Sequence, residues 1–128
     1  MAPQIDFSNI SDSFEPIPDG IYDAVLSEVA VKVSQKGDDY LAFTFTLTDE
    51  YEGRKAWRNF SLLPQSLWAL KGALVAFGVD KDDLTGSMTM EGLVELCTSN
   101  IGSACRLELT IKEWNSKLSN DVKKVMAA

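Results

Sequence analysis

Leu41-Ala42-Phe43-Thr44-Phe45-Thr46-Leu47-Thr48 decides the fold class. Large apolar side chains take every second position and Ala or Thr the others, which is the period-two pattern of a strand with one buried face. Before it, Ser34-Gln35-Lys36-Gly37-Asp38 is a polar, glycine-bearing loop of the kind that joins a hairpin. Before that loop, residues 20–33 are a β-type run rich in Val and Ile. Tyr22, Ala24 and Leu26 lie on one phase of the run and Val29, Val31 and Val33 on the other, which predicts a long strand that bends or bulges midway. After it, residues 49–53 turn the chain and residues 54–61 read as a third strand.

Pro64 then stands where a first helical residue tolerates a missing N–H. Leu67, Leu70, Leu74 and Phe77 follow at spacings of three and four, one apolar stripe with Trp68 and Ala73 at its edges. Trp68 is expected to pack this helix onto the strands, with Gly78 as its C′ residue. Residues 80–83 form a solvated linker, and Thr89 caps a short second helix through Leu96. From residue 102 to 114 the strand pattern returns, with Cys105, Leu107, Leu109 and Ile111 alternating with Arg106, Glu108, Thr110 and Lys112. Asn115-Ser116-Lys117 begins a polar turn, and a last strand runs from residue 120 to 126.

Three strands, a helix, a short helix and two strands is the element order of the five-stranded OB barrel. The expectation is therefore a mainly β, OB-like barrel with a helix and a short second helix between strands 3 and 4. Another small barrel, or an α+β sheet with a helix across one face, is the alternative. At 128 residues, 45% of them hydrophobic, the chain is long enough for one well-buried domain, read as residues 1–128 with 1–19 as an extended acidic lead-in.

Composition removes most catalytic chemistry. There is no histidine, so Ser-His-Asp and Cys-His sets and histidine metal sites are absent. Cys97 and Cys105 form no CxxC and read as two buried thiols of a reducing compartment rather than a disulfide. No phosphate-cradling glycine loop or GxSxG occurs. Asp80, Asp82 and Asp83 fail the calcium-loop spacing, because Leu84 stands where the third ligand is needed. The expectation is a protein that is not an enzyme and takes no cofactor or metal. The amino terminus carries no basic n-region or apolar h-region, and residues 67–79 are too short to span a bilayer. A cytoplasmic protein with no membrane partner is expected.

Charge sorts along the chain. Nineteen acids against twelve bases give −7, yet residues 1–30 hold six acids and no base. Residues 103–128 carry five bases against three acids. OB barrels grip single strands with aromatic platforms set among basic residues, because every base has a π face. Arg54-Lys55-Ala56-Trp57-Arg58-Asn59-Phe60 interleaves three bases with two aromatic rings, and Lys112-Glu113-Trp114-Asn115-Ser116-Lys117 sets a tryptophan between lysines. Lys36 lies in the first loop and Lys123-Lys124 on the last strand. Lys36, Arg54, Lys55, Arg58, Lys112, Lys117, Lys123 and Lys124 are the candidate phosphate contacts, and Tyr40, Trp57 and Trp114 the candidate stacking platforms. Alternation puts Trp57 and Phe60 on opposite faces, so one of the two belongs to the core.

Asp6-Phe7-Ser8, Pro18-Asp19-Gly20-Ile21-Tyr22, Tyr40 to Phe45, Tyr51-Glu52-Gly53-Arg54-Lys55, Asn59-Phe60-Ser61-Leu62 and Ser66 to Lys71 form an ordered set along the chain. The set resembles a family of small bacteriophage proteins associated with replication and recombination genes and regarded as OB-fold single-stranded-DNA binders. The resemblance implies a non-enzymatic protein that coats or anneals single strands without strong sequence preference. It also implies phage or host replication and recombination proteins as partners, and a homo-oligomer is compatible with it. The carboxyl end departs from the pattern, carrying Lys123-Lys124 where such binders commonly carry an acidic tail. The competing expectation is a non-catalytic adaptor whose acidic surface docks a replication or recombination protein.

Overall fold

A computed structural model describes residues 16–128, apart from the side chains of Trp114 and Lys117. Five strands form one sheet: β1 (Gly20–Val33), β2 (Asp39–Leu47), β3 (Lys55–Ser61), β4 (Ala104–Trp114) and β5 (Lys117–Ala127). Two α-helices, α1 (Leu67–Ala76) and α2 (Met90–Ser99), lie in the connection from β3 to β4, each preceded by a short 3₁₀ turn, at Pro64–Ser66 and Lys81–Leu84. The sheet order is β3-β2-β1-β4-β5, and every neighbouring pair is antiparallel.

The alternating stretch of β2 is the middle of the core. Leu41, Phe43, Phe45 and Leu47 are all buried, and the Phe43 ring lies 4.8 Å from Phe60, 6.2 Å from Phe45 and 6.3 Å from Phe77, centroid to centroid. The two apolar phases of β1 are explained by a bulge between Leu26 and Glu28. Ala24 and Leu26 pair with Leu47 and Phe45 before it, while Val29 and Val31 pair with Phe43 and Leu41 after it. One extra residue switches which parity faces inward, so Val29 packs against the core after the bulge, while Val31 and Val33 stay exposed beyond it. At the bulge the α2–β4 connection is stitched to β1, through Gly102 N–H donating to the Leu26 carbonyl at 2.7 Å and Leu26 N–H to that of Ser103 at 3.1 Å.

The helix-end signals at Gly78 and Thr89 hold, while Pro64 opens the 3₁₀ turn before α1 and Leu67 of the expected stripe is exposed. Gly78 has φ +105°, its N–H donates to the Val75 carbonyl, and Val79 N–H donates to that of Leu74. This is the paired C-terminal closure that a glycine in the left-handed region permits. Thr89 Oγ1 accepts from Gly92 N–H at 3.0 Å and opens α2. Leu70, Ala73 and Leu74 turn α1 onto the strands, and α2 runs three residues beyond Leu96. The last strand starts earlier than the sequence pattern indicates, at Lys117, because Asn115 and Ser116 both adopt positive φ and close a two-residue hairpin.

The expected OB-like barrel is not formed. Among the described residues no ladder joins β3 to β5, so these strands are the two edges of an open sheet. The seven-residue β3 is half the length of β1, and α1 seats against both β3 and β5. Where a barrel would have backbone pairing, the Arg58 guanidinium spans from β3 and donates through Nη1 to the Val122 carbonyl of β5 at 2.7 Å. The architecture is an α+β antiparallel sheet carrying two helices.

The lead-in also differs from expectation where it is described. Ile17 is fully buried, its N–H donating to Asn120 Oδ1 at 2.9 Å and its carbonyl accepting from Asn120 Nδ2 at 2.8 Å. Asp19 Oδ1 accepts from Ile111 N–H at 2.7 Å. Residues 16–19 are thus pinned to the β4–β5 hairpin, while residues 1–15 lie outside the described residues.

Cys97 and Cys105 are free, buried thiols. Burial pushes the Cys97 thiol up to about 11; burial, with the nearby Asp23 charge adding to it, pushes Cys105 up to about 12. Unfolding would let both ionise near 9.0. Their stabilising contribution is full below that value and is lost as pH rises through the folded values, because the unfolded chain then binds fewer protons. A thiol-specific disulfide reagent at about pH 8 should label neither cysteine in the folded chain and both in urea. Fast labelling of the folded chain would show that a thiol is exposed.

Candidate nucleic-acid interface

Strand β3 sorts its side chains by alternation. Ala56 and Phe60 point into the core, whereas Lys55, Trp57 and Asn59 face outward, opposite Thr46, Thr44 and Ala42 of β2. Phe60 is therefore the core residue of its pair with Trp57, whose indole is 60% exposed. A large aromatic surface held on a paired strand is a rigid platform, available to stack on a planar ligand at little ordering cost.

Arg58 shares its face with Ala56 and Phe60 and is half-buried. Its guanidinium carbon sits 4.9 Å from the Phe60 ring centroid while Nη1 bonds Val122. The group is held in place by these contacts, with further N–H donors left on its fork. Beside it, between β3, α1 and β5, lies a cleft of about 130 Å³ lined by Arg58, Phe60, Trp68, Gly72, Lys123 and Lys124. A second hollow of about 210 Å³ continues past Trp68 and Arg58 to Asn59 and Ser61.

Trp68 corrects the expectation that it packs the helix down: it is 75% exposed. The signal was present in the sequence. Trp68 is three and four residues from Lys71 and Gly72, both exposed, and out of phase with Leu70 and Leu74. Trp57 and Trp68 thus flank the basic end of β3, one on the outer face and one on α1.

The other candidate residues are spread wider. Lys36 is at the tip of the β1–β2 hairpin, where Gly37 takes φ +87°. Tyr40 is half-buried in a hollow of about 370 Å³ that it shares with Asp38 and Asp39, a poor setting for a phosphate. Arg54 is half-buried at the turn into β3, with Lys55 exposed beside it. Lys112 pairs with Asp121 at 3.6 Å and Lys123 with Glu108 at 3.9 Å, both at the surface. Exposed pairs of this kind hold weakly and exchange readily for another anion. Lys124 lies opposite Glu108 in the ladder and lines the cleft. Trp114 and Lys117 pair across the β4–β5 hairpin, and their side chains lie outside the described residues. The structure brings Arg58, Lys123 and Lys124 together with Trp68 around the cleft between β3, α1 and β5; Trp57 lies on the opposite face of β3, and Lys36, Tyr40 and Lys112 lie outside the cleft lining.

Among the described residues no cluster of three or more Asp, Glu or Cys side chains is arranged to hold a metal, and no helix is long and apolar enough to cross a membrane. No curated protein matches the chain. A family model described as "protein of unknown function (DUF669)" matches residues 3–126. The chain belongs to the DUF669 family of proteins of unknown function.

Proposed function

We propose that this protein binds single-stranded DNA without strong sequence preference, as a non-catalytic component of DNA replication or recombination. The observation that carries the reading is the exposed Trp68 indole beside the Arg58, Lys123 and Lys124 cluster, with a second exposed indole, Trp57, on the outer face of β3. Indoles accept any base on their faces, and the cationic groups neutralise phosphates, so a strand is held by stacking and charge with no base-edge code. The acidic total opposes this only in part, since six of the nineteen acids lie in residues 1–30, away from the basic cluster in sequence. The resemblance to phage replication and recombination proteins supplies the process.

Titration of the full chain with an oligothymidine of about 16 nucleotides tests it. Tryptophan fluorescence should be quenched, and affinity should fall between about 50 and 200 mM salt with a log–log slope of about −2 to −3, as three or four neutralised phosphates require. Absence of binding at the lower salt would reject the reading and leave an adaptor role ahead.

A further inference from the structure

The central strand β1 has a free edge along its second half. The β1–β4 ladder ends at Val25 opposite Ala104, and the chain arriving from α2 is bonded to Leu26 through Gly102 and Ser103. Beyond the bulge, residues 28–33 pair with β2 alone among the described residues. In an antiparallel ladder successive residues turn their N–H and C=O groups to opposite sides. Ser34 N–H donates to the Asp38 carbonyl at 2.8 Å, so Ser34 faces β2. Counting back through the unbroken register, Lys32, Ala30 and Glu28 face β2 as well, and Val29, Val31 and Val33 turn their backbone groups to the free side. The end strands of the sheet are guarded differently: Arg58 bridges β3 to β5, and α1 seats against both.

No proline or glycine interrupts residues 28–33, and Val31 is 44% exposed there. A bare edge of this kind is a template for another strand. A lysine on it ordinarily repels a second copy, but Glu28 reverses the sign. Backbone parity lets two copies meet antiparallel about a two-fold axis at Ala30, Val29 and Val31 exchanging N–H and C=O groups with Val31 and Val29 of the second copy. In that register Ala30 lies opposite itself, and Glu28 lies opposite Lys32 twice over. Both charged side chains are exposed, share the face of Ala30, and are in no ion pair among the described residues. The next register of the same parity, centred on Val31, sets Lys32 against Ala30 and Glu28 against Ser34, so charge selects the first. We infer that this edge docks a second copy of the chain, joining two five-stranded sheets into one through an antiparallel β1–β1 ladder from Glu28 to Lys32. The same patch on both copies makes the contact closed and symmetric.

Sedimentation equilibrium of the full chain tests it. The ladder is shorter than a standard interface, so monomer should give way to dimer between about 10 μM and about 1 mM. Glu28→Lys and Lys32→Glu should each weaken the dimer about tenfold or more, because each sets two like-charge pairs across the axis. Glu28→Lys also reduces the net charge of −7 on each copy, so general repulsion alone would give the opposite result. An equimolar mixture of the two variants should associate again, since every lysine then meets a glutamate. Val31→Pro removes an N–H that bonds no strand of its own copy, and should abolish the dimer while the thermal midpoint stays close to that of the unaltered chain. A chain that is monomeric throughout this range would overturn the inference and leave the edge to a strand of another protein. A dimer indifferent to Val31→Pro would use another surface, and one that neither charge variant weakens would pair in another register; either result overturns the ladder. Should Val31→Pro fail to fold, the mixing experiment decides alone, because Glu28 and Lys32 are exposed. No outcome depends on whether the chain binds DNA.

Discussion

Phe43→Ala is expected to destabilise the protein by about 3–5 kcal/mol in urea unfolding, the cost of removing a fully enclosed ring. Phe43 is 0% exposed and touches three other phenylalanines from three elements: Phe45 on its own strand, Phe60 on β3 and Phe77 at the end of α1. Its truncation loses the transfer free energy of the ring and opens a cavity that those neighbours cannot fill without leaving their rotamers. A domain stable by about 5–15 kcal/mol would lose a fifth or more of its margin. Val33→Ala is the matched control: Val33 is 62% exposed at the end of β1, and its loss should cost no more than about 0.5 kcal/mol. A loss below about 1 kcal/mol for Phe43→Ala would show that the ring is not enclosed as described.

The same residues show what the sequence made legible. In β2 a single face is buried, so alternation reports the strand and its core side together. In β1 the change of phase reports a bulge, because one extra residue lets Val29 reach the core that Ala24 and Leu26 fill before it. Gly78 and Thr89 report helix ends because the backbone groups they satisfy are local. Closure of the sheet is of another kind. It depends on whether β3 and β5 pair, and no local pattern states the distance between two strands more than fifty residues apart. The element order was compatible with a barrel; the short β3, the seat of α1 and the Arg58 bridge leave the sheet open.

Site residues divide along the same line. Alternation correctly limited Trp57 and Phe60 to opposite faces, but which faced inward rested on the register with β2, where Phe60 lies opposite Leu41 and Trp57 opposite Thr44. Trp68 was missed because a nearly all-apolar helix hides its own phase: a stripe drawn through Leu67, Leu70 and Leu74 gains little from excluding a tryptophan one position away. Lys112 and Lys123 read as candidate phosphate contacts, yet each has a carboxylate from the neighbouring strand beside it, a cross-strand pairing invisible until the register is known. Ile17 was lost in a proline-rich lead-in, although its burial makes residues 16–19 part of the body of the fold.

If β3 carries the strand, removing both flanking indoles should nearly abolish single-strand affinity. Trp57→Ala and Trp68→Ala are each expected to cost about 1–3 kcal/mol of binding, the range for one base-stacking platform. Both side chains are more than half exposed, so the folded state should lose no more than about 0.5 kcal/mol from either change. That separation of affinity from stability distinguishes a platform from a packing residue. The measurement is anisotropy of a dye-labelled oligothymidine, since the double variant keeps only Trp114 as an intrinsic reporter. The two losses should add, since indoles on opposite sides of β3 each hold their own base. The salt slope should stay as it is in the unaltered chain, because the cationic groups of Arg58, Lys123 and Lys124 remain. A double variant with full affinity would remove stacking at these two indoles from the account, and a flattened salt slope would mean that the indoles had been positioning the cations rather than the bases.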